Sequence, residues 1–328
     1  MSSAPLRVLL VSAYAAAQPG PAATALIRAA AGSAGYVLVP DPAAADLILF
    51  VEYHPWHDPY FFDVLRHPLR RRHPHKCVLY TDADRIIPLM PTLGPSIERW
   101  QYHPALCRSF PYVTREYRND AVEAGALPAD AERRYLFSFA GASDTHPVRA
   151  RILALQALDV LLIDTGSQRA WELAPQDKAR YESRYFEACR ASHFILCPRG
   201  AGPSSYRLYE AMQLGRAPVV ISDGWVPHDG PAWESFCLRI PEDEIDRIPS
   251  ILRERAGEAR VMGERARREW ERWIAPAVAL QRIVEAATDL LASRRRGFDP
   301  LLRWSQFAHP FHLRNLARWF FRLRHAPR

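Results

Sequence analysis

HFILCPRGAGPSSYRLYEAMQLGRAPVVISD, residues 193–223, reads as strand, loop, helix, turn and strand. HFILC is a short unbroken apolar run, as in a strand covered on both faces. After it, Pro198, Gly200 and Gly202 interrupt regular structure, and the two glycines let the backbone come close to a ligand. SSYRLYEAMQLG spaces its apolar residues for a helix, Gly215 stands where a helix ends, and Pro218 opens a second buried strand, VVIS. A strand entering a helix through a glycine loop, with another buried strand after it, is the unit of a doubly wound α/β sheet.

The same alternation extends outward on both sides. RYLFSFAG (134–141), VRARILALQAL (148–158), DVLLIDTG (159–166) and DKARYESRYFEACRAS (177–192) predict strand, helix, strand, helix. SFCLRI (235–240) predicts another strand, followed by a helix over Glu242–Arg255 and one or two more over Glu258–Arg296. The N-terminal part repeats the scheme, with strands at LRVLLVSAY (6–14), YVLVP (36–40), DLILFVEY (46–53) and KCVLYTDAD (76–84). Helices are expected there over Pro21–Ala31 and within DPYFFDVLRHPLRRRH (58–73). Prolines at 88, 91, 95, 104, 111 and 128 break the stretch from 86 to 134 and place a boundary near 130–136. The expected fold is two Rossmann-like α/β domains, 1–134 and 135–296, with C-terminal helices and a basic aromatic tail over 297–328.

Composition limits the classes of function. At 328 residues, 48% apolar and 24% charged, the chain is ordinary globular protein rather than a disordered or fibrous one. No run approaches the roughly 18–20 uncharged apolar residues of a membrane span, and the first apolar run reads as a strand rather than a leader. A cytoplasmic location is therefore expected. Five scattered cysteines, never spaced C-x-x-C, suit buried thiols better than disulfides or zinc. Nine Arg and one Asp from Arg294 onward account for the net charge of +7. That tail interleaves Arg with Trp304, Phe307, Phe311, Trp319, Phe320 and Phe321. It suits a helix lying on an anionic membrane surface, which would make the protein peripheral on the inner face, or a helix packed back on the first domain. No nucleic-acid module accompanies it, so no nucleic acid is expected as a partner.

The loop and helix start after residue 198 carry the chemistry. Unpaired N–H groups at a helix N-terminus attract an anion, and Ser204 and Ser205 can cap them or donate to a phosphate. Arg199 and Arg207 bracket the same point with planar, multidentate donors. Positive charge there opposes the helix dipole unless an anion sits between. Glu210, on the same helix, suits the hydroxyls of a ribose; the alternative is a surface ion pair with Arg207 at i,i+3 spacing. Asp223 either meets the same ligand or simply ends its strand.

FSFAG (137–141), the helix bearing Arg149, the run from Tyr185 to Asp223 and SFCLRIPEDEIDRIPSIL (235–252) together resemble the exostosin-like glycosyltransferases. The likeness covers about 137–255 and centres on the ordered pattern C-P-R-G-x-G-x-x-S-x-R-L-x-E-A-x-x-x-G-x-x-P-V. The N-terminal half resembles the family only loosely, through DADRIIPLMP (82–91). The resemblance implies a GT-B arrangement, two domains facing across a cleft, and inverting sugar transfer from a UDP- or GDP-sugar to a glycan or lipid-linked glycan. It implies that Arg149, Arg199, Ser204, Ser205 and Arg207 face the diphosphate and Glu210 the nucleoside. Many relatives are membrane-anchored; a bacterial-type enzyme of surface polysaccharide synthesis is expected here. The competing reading is a catalytically silent glycan- or nucleotide-binding partner of an active transferase.

Inversion needs a base for the acceptor hydroxyl. Asp84 and Asp82 are the first candidates, with Glu52 and His54 behind, all at carboxyl ends of predicted strands. Asp82-Ala83-Asp84 also has the D-x-D form that can hold a divalent cation. Arginines and helix N–H groups can stabilise a leaving diphosphate without a metal, so no metal or further cofactor is expected. Asp82 could equally cap a turn or pair with Arg85.

Overall fold

The computed structural model describes residues 4–14, 35–52, 58, 60–113, 119–125, 127, 132–166, 168, 172–293, 305–307 and 313. Two wholly parallel sheets organise them. The first contains β1 (Leu6–Val11), β2 (Tyr36–Leu38), β3 (Leu47–Glu52), β4 (Cys77–Thr81), β5 (Thr92–Gly94) and β6 (Cys107–Ser109), in the order β2-β1-β3-β4-β5-β6. The second contains β7 (Tyr135–Gly141), β8 (Val160–Asp164), β9 (Ser192–Pro198), β10 (Ala217–Ile221) and β11 (Leu238–Arg239), in the order β11-β10-β9-β7-β8. Every residue of β3, β4 and β10 is buried, which is why those strands read as unbroken apolar runs. The two-domain α/β architecture is the one expected.

Several boundaries differ, each for a local reason. β5 and β6 are three residues each, too short for periodicity to reveal; pairing of Tyr80 with Leu93 and of Leu93 with Arg108 holds them in the sheet. The helix expected within 58–73 is two helices, Phe62–Arg66 and Pro68–Arg72. Pro68 holds His67 out of the helical region, and the His67 imidazole accepts from the Leu69 N–H at 3.3 Å. The Glu242–Arg255 helix is confined to Ile248–Glu254, after a 3-10 turn at Ile245–Arg247. Glu258–Arg296 divides into Ala259–Trp273 and Pro276–Ser293. The helix expected over Pro21–Ala31 lies outside the described residues.

The final helix changes the partition of the chain. Leu280, Ile283, Val284, Ala287 and Leu290 of Pro276–Ser293 share a core with Val8, Leu49, Tyr80 and Leu93 of the first sheet. Burying each larger aliphatic chain contributes on the order of 2 kcal/mol, enough to bind this helix firmly to that sheet. Arg108 adds an ion pair to Asp289 at 3.0 Å. A second domain drawn as 135–296 would include this helix, yet its apolar face belongs to the first. Of the tail, only Ser305–Phe307 and Leu313 are described. There Gln306 Nε2 donates to the Gln101 carbonyl at 3.3 Å and Phe307 packs 5.7 Å from Tyr60, both in the first domain. The remainder of 297–328, with its membrane-surface reading, lies outside the described residues. Among those residues, no helix is long and apolar enough to cross a membrane.

All five cysteines are buried and free. In each sheet the first strand lies between the next two, so adjacent connections diverge at the carboxyl ends of β1 and β3, and again at those of β7 and β9.

Candidate functional site

A cavity of about 220 Å³ opens between the domains, at the carboxyl ends of β7 and β9. Asp84 and Tyr112 line it from the first domain; Arg149, Gly200, Gly202, Ser204, Ser205, Arg207 and Glu210 line it from the second. Eight of the residues singled out in the sequence therefore meet at one place.

Arg149 stands on the helix Pro147–Leu153, whose N-cap His146 accepts from the Val148 N–H. Its Nε donates to the Arg199 carbonyl at 2.9 Å, and a Cβ on Gly200 would lie 2.9 Å from its Nη2. Arg207 is held in the same way: Nε donates to the Ala140 carbonyl at 2.7 Å, and a Cβ on Gly141 would lie 2.6 Å from Nη2. Both guanidinium groups lie over the Phe139 ring, at 5.8 and 5.3 Å from its centroid. Among the described residues neither has a carboxylate within ion-pair distance. Burial, helped by the charge of Arg207, brings the Arg149 pKa down to about 9. A buried and a half-buried cation side by side, with no counter-ion among the described residues, form a site for an anion.

The helix Tyr206–Gln213 adds its N-terminus to this point. Its N-cap is Ser205, in extended conformation, but the side chain makes no cap hydrogen bond. The buried hydroxyls of Ser205 and Thr145 have no partner among the described residues. Gly202 serves the contact between the domains. A Cβ there would overlap the Asp84 carbonyl and the Ser96 side chain, so only glycine lets the two domains meet. Glu210 is buried beside Tyr185, whose hydroxyl is held far above its ordinary pKa mainly by burial. Glu210 and Arg207 form no ion pair among the described residues, so the surface-pair alternative does not apply.

Asp84 is accessible from the cavity yet surrounded by protein on its other sides. Tyr112 donates to its Oδ1 at 3.3 Å, and the Tyr112 hydroxyl lies 2.9 Å from Ser96 Oγ. Burial raises the Asp84 pKa, while Tyr112 and Arg149 pull it the other way. Asp82, two residues earlier, is buried against the Tyr80 hydroxyl. The two carboxylates of the D-x-D thus occupy different surroundings, and no group of three metal-ligating side chains occurs among the described residues.

The other candidates lie elsewhere. Glu52, 3% exposed, accepts from Ser12 Oγ at 2.9 Å and from the Ala13 N–H at 2.6 Å, and burial lifts its pKa to about 7. His54 lies outside the described residues. The Arg199 guanidinium pairs with Glu98 at 2.5 Å and lies 3.7 Å from Glu242. Asp223 exchanges hydrogen bonds with Glu242, its N–H donating at 3.0 Å and its Oδ1 accepting at 3.2 Å. Trp225, two residues after Asp223, is 1% exposed and packed against Trp233. Sequence reasoning missed Tyr112, Thr145, Gln168 and Tyr185 in the cavity wall. Tyr112 falls in the proline-broken stretch and Thr145 in an irregular loop, where no periodicity or motif marks them.

The model of the exostosin GT47 domain matches residues 67–255, more than half of the chain. The chain belongs to the exostosin GT47 family. For this exostosin-family chain the match begins well before residue 137 and takes in Asp82 and Asp84 as well as the glycine loop. It is similar to the probable glucuronoxylan glucuronosyltransferase IRX7 of Arabidopsis thaliana, with 30% identity over 146 residues, 43% of this chain and 31% of that protein. It is also similar to exostosin-1 of Drosophila melanogaster, with 27% identity over 207 residues, 58% of this chain and 26% of that protein. The chain spans less than a third of the length of these two relatives. Among solved structures, sucrose-phosphate synthase from Thermosynechococcus elongatus superposes with a TM-score of 0.45 and 12% identity, over 88% of this chain and all of that one.

Proposed function

We propose that this chain is an inverting glycosyltransferase that moves a sugar from a UDP- or GDP-sugar to a hydroxyl of a glycan or lipid-linked glycan. The observation carrying this reading is the pair of buried Arg149 and half-buried Arg207, with no carboxylate in ion-pair distance among the described residues, beside an uncapped helix N-terminus. In this reading the donor diphosphate lies on the two guanidinium groups, the Ser205 hydroxyl and the first N–H groups of Tyr206–Gln213. Glu210 accepts hydrogen bonds from the ribose. Asp84, across the cleft, takes the proton of the acceptor hydroxyl as that oxygen bonds to the anomeric carbon and the bond to the diphosphate breaks. The charge appearing on the leaving diphosphate meets fixed cations and N–H dipoles, so no divalent metal enters. A raised pKa makes Asp84 a stronger base, active once the pH exceeds that value. Relatives named as glucuronosyltransferases support glycosyl transfer as the reaction.

Calorimetric titration with UDP, GDP, CDP and ADP, with and without Mg²⁺, tests this reading. One diphosphate is expected to bind selectively without metal, and Arg207→Ala to weaken it about 100-fold, equivalent to about 2.7 kcal/mol. Absence of binding by all four would overturn the donor site and leave the silent-partner reading.

A further inference from the structure

Arg199 stands in the middle of the sequence pattern, yet its side chain points away from the cavity that the pattern builds. Its main chain does belong to the site: the N–H donates to the Ile221 carbonyl at 3.1 Å, and its own carbonyl accepts from Arg149 Nε at 2.9 Å. The guanidinium instead reaches the first domain, with Nη2 2.5 Å from Glu98 Oε1 and Nη1 3.7 Å from Glu242 Oε1. All three side chains are largely shielded, at 15, 22 and 21% exposure, so this pair is not a screened surface contact.

Neighbouring contacts extend the same seam. Glu98 lies on Gly224, where a Cβ would overlap its Oε2 and come within 3.3 Å of Arg199 Nη1. The Arg99 N–H donates to the Gly224 carbonyl at 2.9 Å, and its guanidinium donates to the carbonyls of Asp223 and Trp225 at 3.1 and 3.2 Å. Glu242 in turn accepts from the Asp223 N–H at 3.0 Å. Two consecutive residues of the first domain are thus clamped onto the exits of β9 and β10. Removing Arg199 would leave Glu98 and Glu242 facing each other in a shielded place without the cation between them, which favours separation.

We propose that Arg199 is a positioning residue, the hub of an interdomain clasp with Glu98 and Glu242 that couples cleft closure to occupancy of the Arg149–Arg207 site. The coupling runs through one residue: the Arg199 carbonyl orients Arg149, while its guanidinium holds the other domain. A ligand that fixes Arg149 thereby fixes the strand end that carries the clasp, and by reciprocity a closed clasp favours the ligand. The clasp is defined by geometry alone; its coupling to the cavity rests on the donor reading above.

Amide hydrogen exchange at Arg99, whose N–H crosses the seam, separates the two parts. In the unliganded protein, Glu98→Gln and Arg199→Gln are each expected to speed that exchange about tenfold, and the double variant no further than either single one. Unchanged exchange in both single variants would overturn the clasp, whatever the cavity binds. The nucleoside diphosphate selected from UDP, GDP, CDP and ADP is then added. It is expected to slow Arg99 exchange in the wild-type protein and not in Arg199→Gln, although its Kd there changes by about threefold or less. A loss of affinity in Arg199→Gln as large as in Arg207→Ala, with Glu98→Gln binding normally, would make Arg199 a phosphate ligand and overturn the assignment. If no diphosphate binds the wild-type protein, the donor reading and the coupling fail together, while the unliganded exchange still decides the clasp.

Discussion

The two sheets have the same strand reversal, and the two places it creates differ in what they contain. At the ends of β1 and β3 the described polar groups find their partners within the domain. Glu52 takes hydrogen bonds from Ser12 Oγ and the Ala13 N–H, and its carboxylate is buried. At the ends of β7 and β9 the gap stays open. Arg149 and Arg207 spend one N–H each on carbonyls, Ser205 does not cap its own helix, and the Thr145 hydroxyl has no partner among the described residues. Strand order makes the place; polar groups left without internal partners make it a site.

The comparison is broken most forcefully at Asp84, which faces only the open place. Asp84→Asn is expected to lower kcat by 10²–10⁴-fold, as loss of a general base does, while diphosphate affinity in calorimetry changes by less than about threefold. A parallel loss of affinity would assign Asp84 to donor binding instead. Glu52→Gln probes the first place. Burial lifts the Glu52 pKa from 4.5 to about 7, so the folded protein holds this proton more tightly than the unfolded chain. Stability should therefore fall as pH rises from about 4.5 to 7 and stay flat above. Glutamine keeps an acceptor for Ala13 and removes the slope, leaving the variant more stable above pH 7 by on the order of 2–3 kcal/mol in urea melts. A wild-type profile without that slope would mean that Glu52 is not held protonated. The smallest effect is at Gly200, where a methyl group would sit 2.9 Å from Arg149 Nη2. Gly200→Ala should displace the flexible guanidinium and weaken diphosphate binding about tenfold, about 1.4 kcal/mol; unchanged affinity would detach Arg149 from the site.

Much of the open place was legible in the chain. The run from His193 to Asp223 displays strand, glycine loop and helix because each element carries its own period or breaker, and Gly200, Ser205, Arg207 and Glu210 follow by position. Arg149, 50 residues before Arg199, came only through family resemblance, since nothing local singles it out from Arg151 on the same predicted helix. The first place misled for an equally physical reason. Glu52 ends a buried strand as Asp84 nearly does, and no spacing tells whether a carboxylate will find N–H donors in its own loop. β5 and β6 are too short to display a period, so the stretch that supplies Tyr112 read as loop.

By itself, then, the sequence determined the layered α/β architecture, the glycine loop and the density of positive charge around it, because burial on both faces and backbone freedom are written in residue type and order. Only the tertiary structure decided which arginine turns inward. Arg199 and Arg207 belong to one pattern, but Glu98 of the other domain draws the first away while Ala140 and Phe139 hold the second in the cavity. It also decided that Pro276–Ser293 covers the first sheet rather than the second. An apolar helix face specifies that it must be buried, and a guanidinium that it must be paired. Neither specifies the partner, because that partner is brought by chain far away in sequence.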